Sequence, residues 1–540
     1  MKSNCAKILA VVFAGAVLSL CACGSGGGEA ADSGAGTDAA AVEDTGSAVD
    51  AGAPDSGGTA DAGTPDTGGL PKALPFEFTR PDVGDPLTTD EIAAFTKKIT
   101  GFFKKVDFFA WVLRTSHGED LSHSQYDFMV WWTGVSARKT GDLVTFYHRP
   151  DGGPDNIMIP TSKVLAQAIA AYLLTGDASA GKVVEQYSKG QVGTMMGMMF
   201  SPDDPDKYIM ARAVMTQNHE YVVEGTKRKA VDYTEWLHPT EDWNTHTINV
   251  PNNPYWGNIW VKNMRSKDDV CHIYRTAGWL PYAVADGPDA FVRDAAAIND
   301  EYLRGFAKDI VDFGYEIRTK GADGVPYVPT EDLASFVDFE WIDPNAECNA
   351  KITSALMGYG ERLKNNCESG YGGAYEEAAI GQHYYNAAII RAFHQAAILH
   401  ALTRRQDVTA EKLLKGLAER LDRDLAKPDS KLPTEKENWL SDLALAALNG
   451  ASVGLPLTSQ EARLIQQYWG QAADAMGAWD KWDLWDASVP DGEYTYRLDD
   501  RIEAEEVAFI FEYCWSPLKN PTGAVPVDCS VVADPAKWGE

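Results

Sequence analysis

Between positions 217 and 279 the chain gathers most of the residue types that general acid–base catalysis requires. Asn218, His219 and Tyr221 come first, then Trp236, His238, Trp243 and His246, then Tyr255, Trp256 and Trp260. The stretch closes on Asp268, Asp269, His272 and Arg275. His272 and Arg275 are one helical turn apart, so a helix puts them on one face. Asp269 and His272 together supply a carboxylate and an imidazole for general acid–base catalysis. Acidic residues at a helix start are equally explained by capping and by the helix dipole, with no chemistry. His219 and Tyr221 fit partial burial on a helix as well as they fit catalysis. Both readings stand at this point. Trp243, Trp256 and Trp260 offer faces on which sugar rings stack. A second cluster repeats Trp-Asp three times, at Trp479, Trp482 and Trp485. These could form a stacking platform for sugar rings or a hydrophobic plug pinning the last hairpins; Trp482 reads as plug, and Trp479 and Trp485, the candidates for substrate binding, fit either.

Other matches fail on context. Gly176 to Val183 nearly fits a phosphate-binding loop, but Val183 takes the hydroxyl position and a helical stretch precedes it. Gly450-Ala451-Ser452-Val453-Gly454 fits the nucleophile elbow, which needs a strand before the serine; here Leu440 to Leu448 reads as helix. His219-Glu220 would open a zincin motif if residue 223 were His, and it is Val. His383 and His394 share a helix face but sit roughly 16 Å apart along the axis, too far to share a metal. Met195, Met196, Met198 and Met199 read as a packing face rather than a copper(I) site. No metal and no cofactor is expected.

Composition narrows the partners. The 540 residues carry a net charge of −30, and removal of the first 74 leaves a domain near −24. Nucleic acid requires a basic face, so it is excluded as a partner. With 45% hydrophobic and 11% aromatic residues there is ample material for a large core.

Lys2 and Lys7 precede an apolar stretch from Ile8 to Leu20, too short to span a bilayer and of the length of a signal peptide's core. It ends in Leu20-Cys21-Ala22-Cys23, which resembles the bacterial lipobox. The resemblance implies a signal peptide over 1–22, cleavage before Cys23 and its lipidation, with the chain held to the membrane by lipid. Gly24 after that cysteine, where sorting in model bacteria uses Asp for inner-membrane retention, points to the outer membrane. Residues 24–74 contain no aromatic residue, nine acidic residues and one lysine, Lys72. Such a segment buries too little to offset its ordering entropy. A disordered tether over 23–74 is predicted, with an r.m.s. span of roughly 40 Å, and a folded domain over 75–540.

Export makes disulfides possible for the five remaining cysteines. The close pairs Cys348/Cys367 and Cys514/Cys529 are the natural bridges, each closing a loop worth roughly 3 kcal/mol, and Cys271 is left over. Spacing alone leaves the pairing open.

The supporting elements read as helices. Ile92, Phe95, Ile99, Phe102, Val106, Phe109 and Leu113 recur at steps of three and four, as do Phe291 to Ile317 and Leu413, Leu417, Leu421 and Leu425. Further helices are predicted near 122–140, 160–175, 180–200, 205–224, 269–285, 376–403, 436–449, 459–478 and 499–515. Thr458 and Glu461 form a capping box. Strand-like alternation is confined to places such as 245–262. An all-α fold of consecutive helical hairpins follows. In pattern, and in phrases such as Ala171 to Asp177, it resembles the (α/α)6 toroid of many glycan-active enzymes; an irregular helical solenoid or bundle is the other arrangement. The resemblance implies polysaccharide as substrate and hydrolase or lyase chemistry. In toroid lyases an Asn commonly neutralises a uronate carboxyl while His or Tyr removes the C5 proton, which would be the roles of Asn218, His219 and Tyr221. The expected function is an envelope lipoprotein that acts on or binds polysaccharide. The alternative is a noncatalytic surface lipoprotein binding a glycan, a peptide or an envelope protein.

Overall fold

The computed structural model describes residues 69–106, 135–148, 158–215, 220–231, 247–263, 273–313, 317–328, 436–475, 487–496 and 502–538, with most of 395–426, apart from a few single positions within these ranges. Residues 1–68, which hold the expected signal peptide (1–22) and most of the expected tether (23–74), lie outside them. The compact unit begins at Gly68, so the last residues assigned to the tether already pack on the domain.

Helix accounts for 57% of the described residues, which are therefore predominantly helical. Its helices are α1 (Thr89–Val106), α2 (Met158–Thr175), α3 (Ala178–Met196), α4 (Leu280–Asp286), α5 (Ala290–Asp312), α6 (Asp407–Leu425), α7 (Lys436–Ala451), α8 (Ser459–Ala475), α9 (Ile502–Trp515) and the short α10 (Cys529–Val532). Neighbours in sequence pack on each other: α2 on α3, α4 on α5, α6 on α7, α7 on α8 and α8 on α9. α3 also packs on α5, and α9 returns to α2.

The periodicity explains which faces meet. In α6 the leucines Leu413, Leu417 and Leu421 are buried and Leu425 is half-buried, each buried leucine contributing about 1.5–3 kcal/mol. α1 buries Phe95, Ile99, Phe102 and Phe103. α5 buries Val292, Ala296, Leu303 and Phe306, but Phe291 and Phe313, which share its sequence stripe, are 51% and 47% exposed. The helix is shorter than the stripe, and Phe313 falls in the turn beyond it.

The turns follow their chemistry. Gly176, at φ +69°, ends α2, and Asp177 caps α3 by accepting from Ser179 N at 2.9 Å. The phosphate-loop look-alike is therefore a helix-to-helix turn. Before α8 the capping box forms as predicted: Thr458 N donates to Glu461 Oε2 at 2.9 Å, and Glu461 N to Thr458 Oγ1 at 3.2 Å. Thr88 and Glu91 form a second box at α1. Hydrogen bonds from Arg463, then from the Thr88 backbone and hydroxyl, hold the Glu91 carboxyl at about 2. Its folded-state value lies below its unfolded one, so this contribution is present above about pH 4.3 and is lost as pH falls from there toward 2. Hydrogen exchange in the first turn of α1 should accelerate across that window, and Glu91→Gln should flatten the profile. An unchanged profile in the variant would place the acid sensitivity elsewhere.

Ahead of α1, residues 69–88 form a strap laid over the helices. Pro71 O accepts from Tyr282 OH at 2.7 Å, and Lys72 pairs with Asp286. Leu74 fills the space over Gly454, whose φ of +99° and lack of a Cβ are both required. Arg80 forks onto Glu461 at 2.8 and 2.9 Å, donates to Pro456 O at 3.0 Å and pairs with Asp422. Asp82 receives Ser459 N at 2.7 Å, and Val83 O receives Gln460 N at 2.7 Å. At the other end of the chain Cys514 and Cys529 are disulfide-bonded, as their spacing suggested. Cys348 and Cys367 lie outside the described residues.

Among the described residues there are three antiparallel sheets. The first has the order β10 (Gly492–Tyr496), β1 (Val135–Thr140), β2 (Leu143–His148), β4 (Glu220–Glu224), β5 (Lys227–Val231). The second has the order β3 (Ala213–Met215), β7 (Gly257–Lys262), β6 (Thr247–Asn253). The third is the small hairpin β8 (Thr319–Lys320) and β9 (Pro326–Tyr327). Residues 205–215 and 220–224, within a stretch predicted as helix, instead form turns and the strands β3 and β4, and 135–140, predicted as the end of a helix, forms β1. Val222 and Val223 in β4 are β-branched and suit a pleated ladder better than a helix. Among the described residues no helix is long and apolar enough to cross a membrane.

Candidate functional site

Alternation gives the sheet β3–β7–β6 two faces. Val214, Val250, Ile259 and Val261 are fully buried on the inner one. The outer one carries Asn249, Asn258 and Trp260. Trp260 is half-buried and stands in register between Met215 of β3 and Asn249 of β6. Asn249 Nδ2 donates to Asn258 Oδ1 at 2.8 Å and to Ile259 O at 3.0 Å. The two amides are thereby fixed beside the indole. The Asn249 Oδ1 acceptor and the Asn258 Nδ2 donor remain to meet a ligand.

The hairpin tip is fastened from beneath. Buried Asn253 accepts from Tyr255 N at 3.0 Å and Trp256 N at 3.1 Å. Its Nδ2 donates to Met196 O at 2.7 Å and Met199 O at 3.1 Å, just past the end of α3. Trp256 packs partly on the core, and Tyr255 is 44% exposed, with the two ring centroids 5.9 Å apart. Met195, Met196, Met198 and Met199 are buried packing residues.

A buried charge cluster supports the same loop. Lys320 is 0% exposed, and its Nζ donates to Asp204 Oδ2 at 2.8 Å and Met198 O at 2.9 Å. Asp204 also receives Phe200 N at 2.9 Å and Asp206 N at 3.0 Å. Burial alone would raise the Asp204 carboxyl, but Lys320 and these amides outweigh it and hold it below its ordinary value. Burial pulls the Lys320 ammonium down, against the opposing pull of Asp204. Arg318 joins Asp206 at 2.8 Å, pairs with Asp309 and lies 3.4 Å over the Phe313 ring. Asn263, at the exit of β7, donates to Lys320 O at 2.8 Å.

Arg275 lies in the core, 1% exposed. Its Nη2 meets Glu512 at 2.9 and 3.0 Å and Asn449 Oδ1 at 3.0 Å, and its guanidinium lies 3.8 Å over the Phe509 ring. Gln395 Nε2 donates to Glu512 Oε2 at 3.1 Å and Ser452 Oγ at 2.7 Å. Burial pushes the Glu512 carboxyl up, and Arg275 opposes it. Next to Arg275, Thr276 reaches Gln191, which receives Asn299 at 2.8 Å and donates to Ser162 at 3.0 Å. Polar contacts thus run on both sides of the segment 273–279. Ser452 is fully buried after helix α7, so it is no nucleophile elbow.

Of the predicted site residues, Trp256 and Trp260 lie on one hairpin, while Arg275 belongs to the core network. Tyr221 is in β4, opposite Ala230. Asn218, His219, Trp243, Asp269, His272, Trp479, Trp485 and Cys23 lie outside the described residues. Asn249, Asn258, Lys320 and Glu512 were not anticipated. The period of two in Asn258-Ile259-Trp260-Val261 was the available signal for the first pair.

No protein-family model, no curated protein and no solved structure matches this chain.

Proposed function

We propose that this chain is an envelope lipoprotein, lipidated at Cys23 and held at the outer membrane, whose domain binds polysaccharide on the outer face of the β3–β7–β6 sheet. The observation that carries the reading is Trp260 beside the paired amides of Asn249 and Asn258. An indole face stacks on a pyranose, and a fixed donor beside a fixed acceptor suits neighbouring hydroxyls. Consecutive packed helices, with α9 returning to α2, support the toroid reading of the helical body. Glycan cleavage, by hydrolase or lyase chemistry, is the second reading. The chain leaves β3 at Met215, opposite Trp260, and passes through Gln217, Asn218 and His219 before β4.

Calorimetric titration of the purified protein against a polysaccharide panel tests both. Trp260→Ala should weaken binding about tenfold, equivalent to ~1.4 kcal/mol. New reducing ends or an unsaturated-uronate absorbance would reveal cleavage. Failure to bind any member of the panel would sink the glycan reading.

A further inference from the structure

Resting on that reading, we infer that the ligand of the Trp260 face is an amino-sugar glycan carrying free amines, and not a uronate polyanion. A surface that takes a polyuronate needs a cation to meet each carboxylate, because an unpaired carboxylate resists desolvation. Among the described residues, the basic residue on this face is Lys262, in register with Ala213 and Thr247, and it is 6% exposed. What the face does present is neutral: the Trp260 indole and the amides of Asn249 and Asn258. These match the part of an amino sugar that carries no charge, its ring face and hydroxyls.

The charge of the domain then selects among such sugars. Residues 75–540 stand near −24, so the field around them repels a polyanion and raises the local concentration of a polycation. Exposed charges act through solvent and are screened beyond about 8 Å at physiological salt. The preference for amines is therefore an effect strongest at low salt. Neutral contacts fix the sugar ring at Trp260, and the acidic surface favours the chain that carries ammonium groups.

The test uses the full-length lipoprotein in detergent and three oligosaccharides of matched length. These are an N-acetylglucosamine oligomer, its fully de-N-acetylated counterpart and an oligogalacturonate. Titrations run at about 0.01 M and about 0.15 M ionic strength. The free-amine oligomer should bind about tenfold tighter than the acetylated one at low salt, with the gap narrowing at the higher salt and the galacturonate weakest throughout. Trp260→Ala should weaken both amino-sugar oligomers, and Trp260→Phe should restore part of the loss. Galacturonate binding as tight as the free-amine oligomer overturns the inference, as does equal affinity for the two amino-sugar forms at low salt. Amine binding that ignores Trp260→Ala also overturns it, because the attraction is then not tied to this face. If none of the three binds, the inference is overturned, whereas the glycan reading falls only if the wider polysaccharide panel also fails to bind, so the two failures are told apart.

Discussion

Arg275→Ala should lower the unfolding free energy by about 3–5 kcal/mol, the range for stranding one partner of a buried ion pair. The expectation follows from the surroundings of Glu512. That carboxylate is fully enclosed and takes two contacts from Arg275 and one from Gln395. Without the guanidinium, a single amide donor faces a buried negative charge. Glu512 would then stay protonated in the folded protein. Its folded-state value would lie further above its unfolded one, so the deficit should grow as pH rises above about 4.3. Glu512→Ala should cost a similar amount by stranding Arg275. The double replacement Arg275→Met with Glu512→Leu should recover most of the loss, because apolar side chains of similar volume need no partner. Urea unfolding of the four proteins measures this. A loss under about 1 kcal/mol for Arg275→Ala would show that the pair is not what holds segment 273–279 to α9.

The second large effect is expected at Lys320. Lys320→Ala leaves Asp204 nearly enclosed, with backbone amides as its remaining donors. A loss of about 3–5 kcal/mol is expected, concentrated in 197–210 rather than spread through the helices. Hydrogen exchange should show that segment opening first. Asp204→Asn added to Lys320→Ala should restore part of the protection, since a neutral amide has less to lose on burial. Because Asn253 hangs the β6–β7 tip on the carbonyls of Met196 and Met199, the glycan binding proposed at Trp260 should weaken in the single variant too. Uniform destabilisation with unchanged exchange in 197–210 would contradict the local role.

Local signals made part of this legible in the sequence. The stripes of α1 and α6, the Gly176-Asp177 turn, the Thr458/Glu461 box and the close Cys514/Cys529 pair each involve residues near one another in the chain. What stayed hidden depends on distant partners. β1 pairs with β10 across some 350 residues, so neither strand announces itself. Arg275 was legible as a polar residue on a helix face, but Glu512, 237 positions away, makes it a core residue. The site divides in the same way. Trp256 and Trp260 stand out by type, whereas Asn249 and Asn258 gain meaning only from the register that sets them beside Trp260. Lys320 sits in a glycine-rich breaker, where nothing local foretells complete burial.

The strap of residues 69–88 has a mechanical consequence if the chain is anchored as proposed. Any drag on the domain reaches it through residue 69. From there the fastenings come in chain order: Gly69 to Arg405, Pro71 to Tyr282, Lys72 to Asp286, Leu74 over Gly454, then the Arg80 fork. A load applied at one end of such a series peels it contact by contact instead of shearing all of them together. The early contacts engage one or two groups each, whereas Arg80 engages two carboxylates and a carbonyl at once. Peeling should therefore pause at Arg80. The slack released by then, residues 69–79, amounts to about 35–40 Å of extended chain. Tension would lengthen the leash by nearly its own relaxed span before the helical body felt any strain.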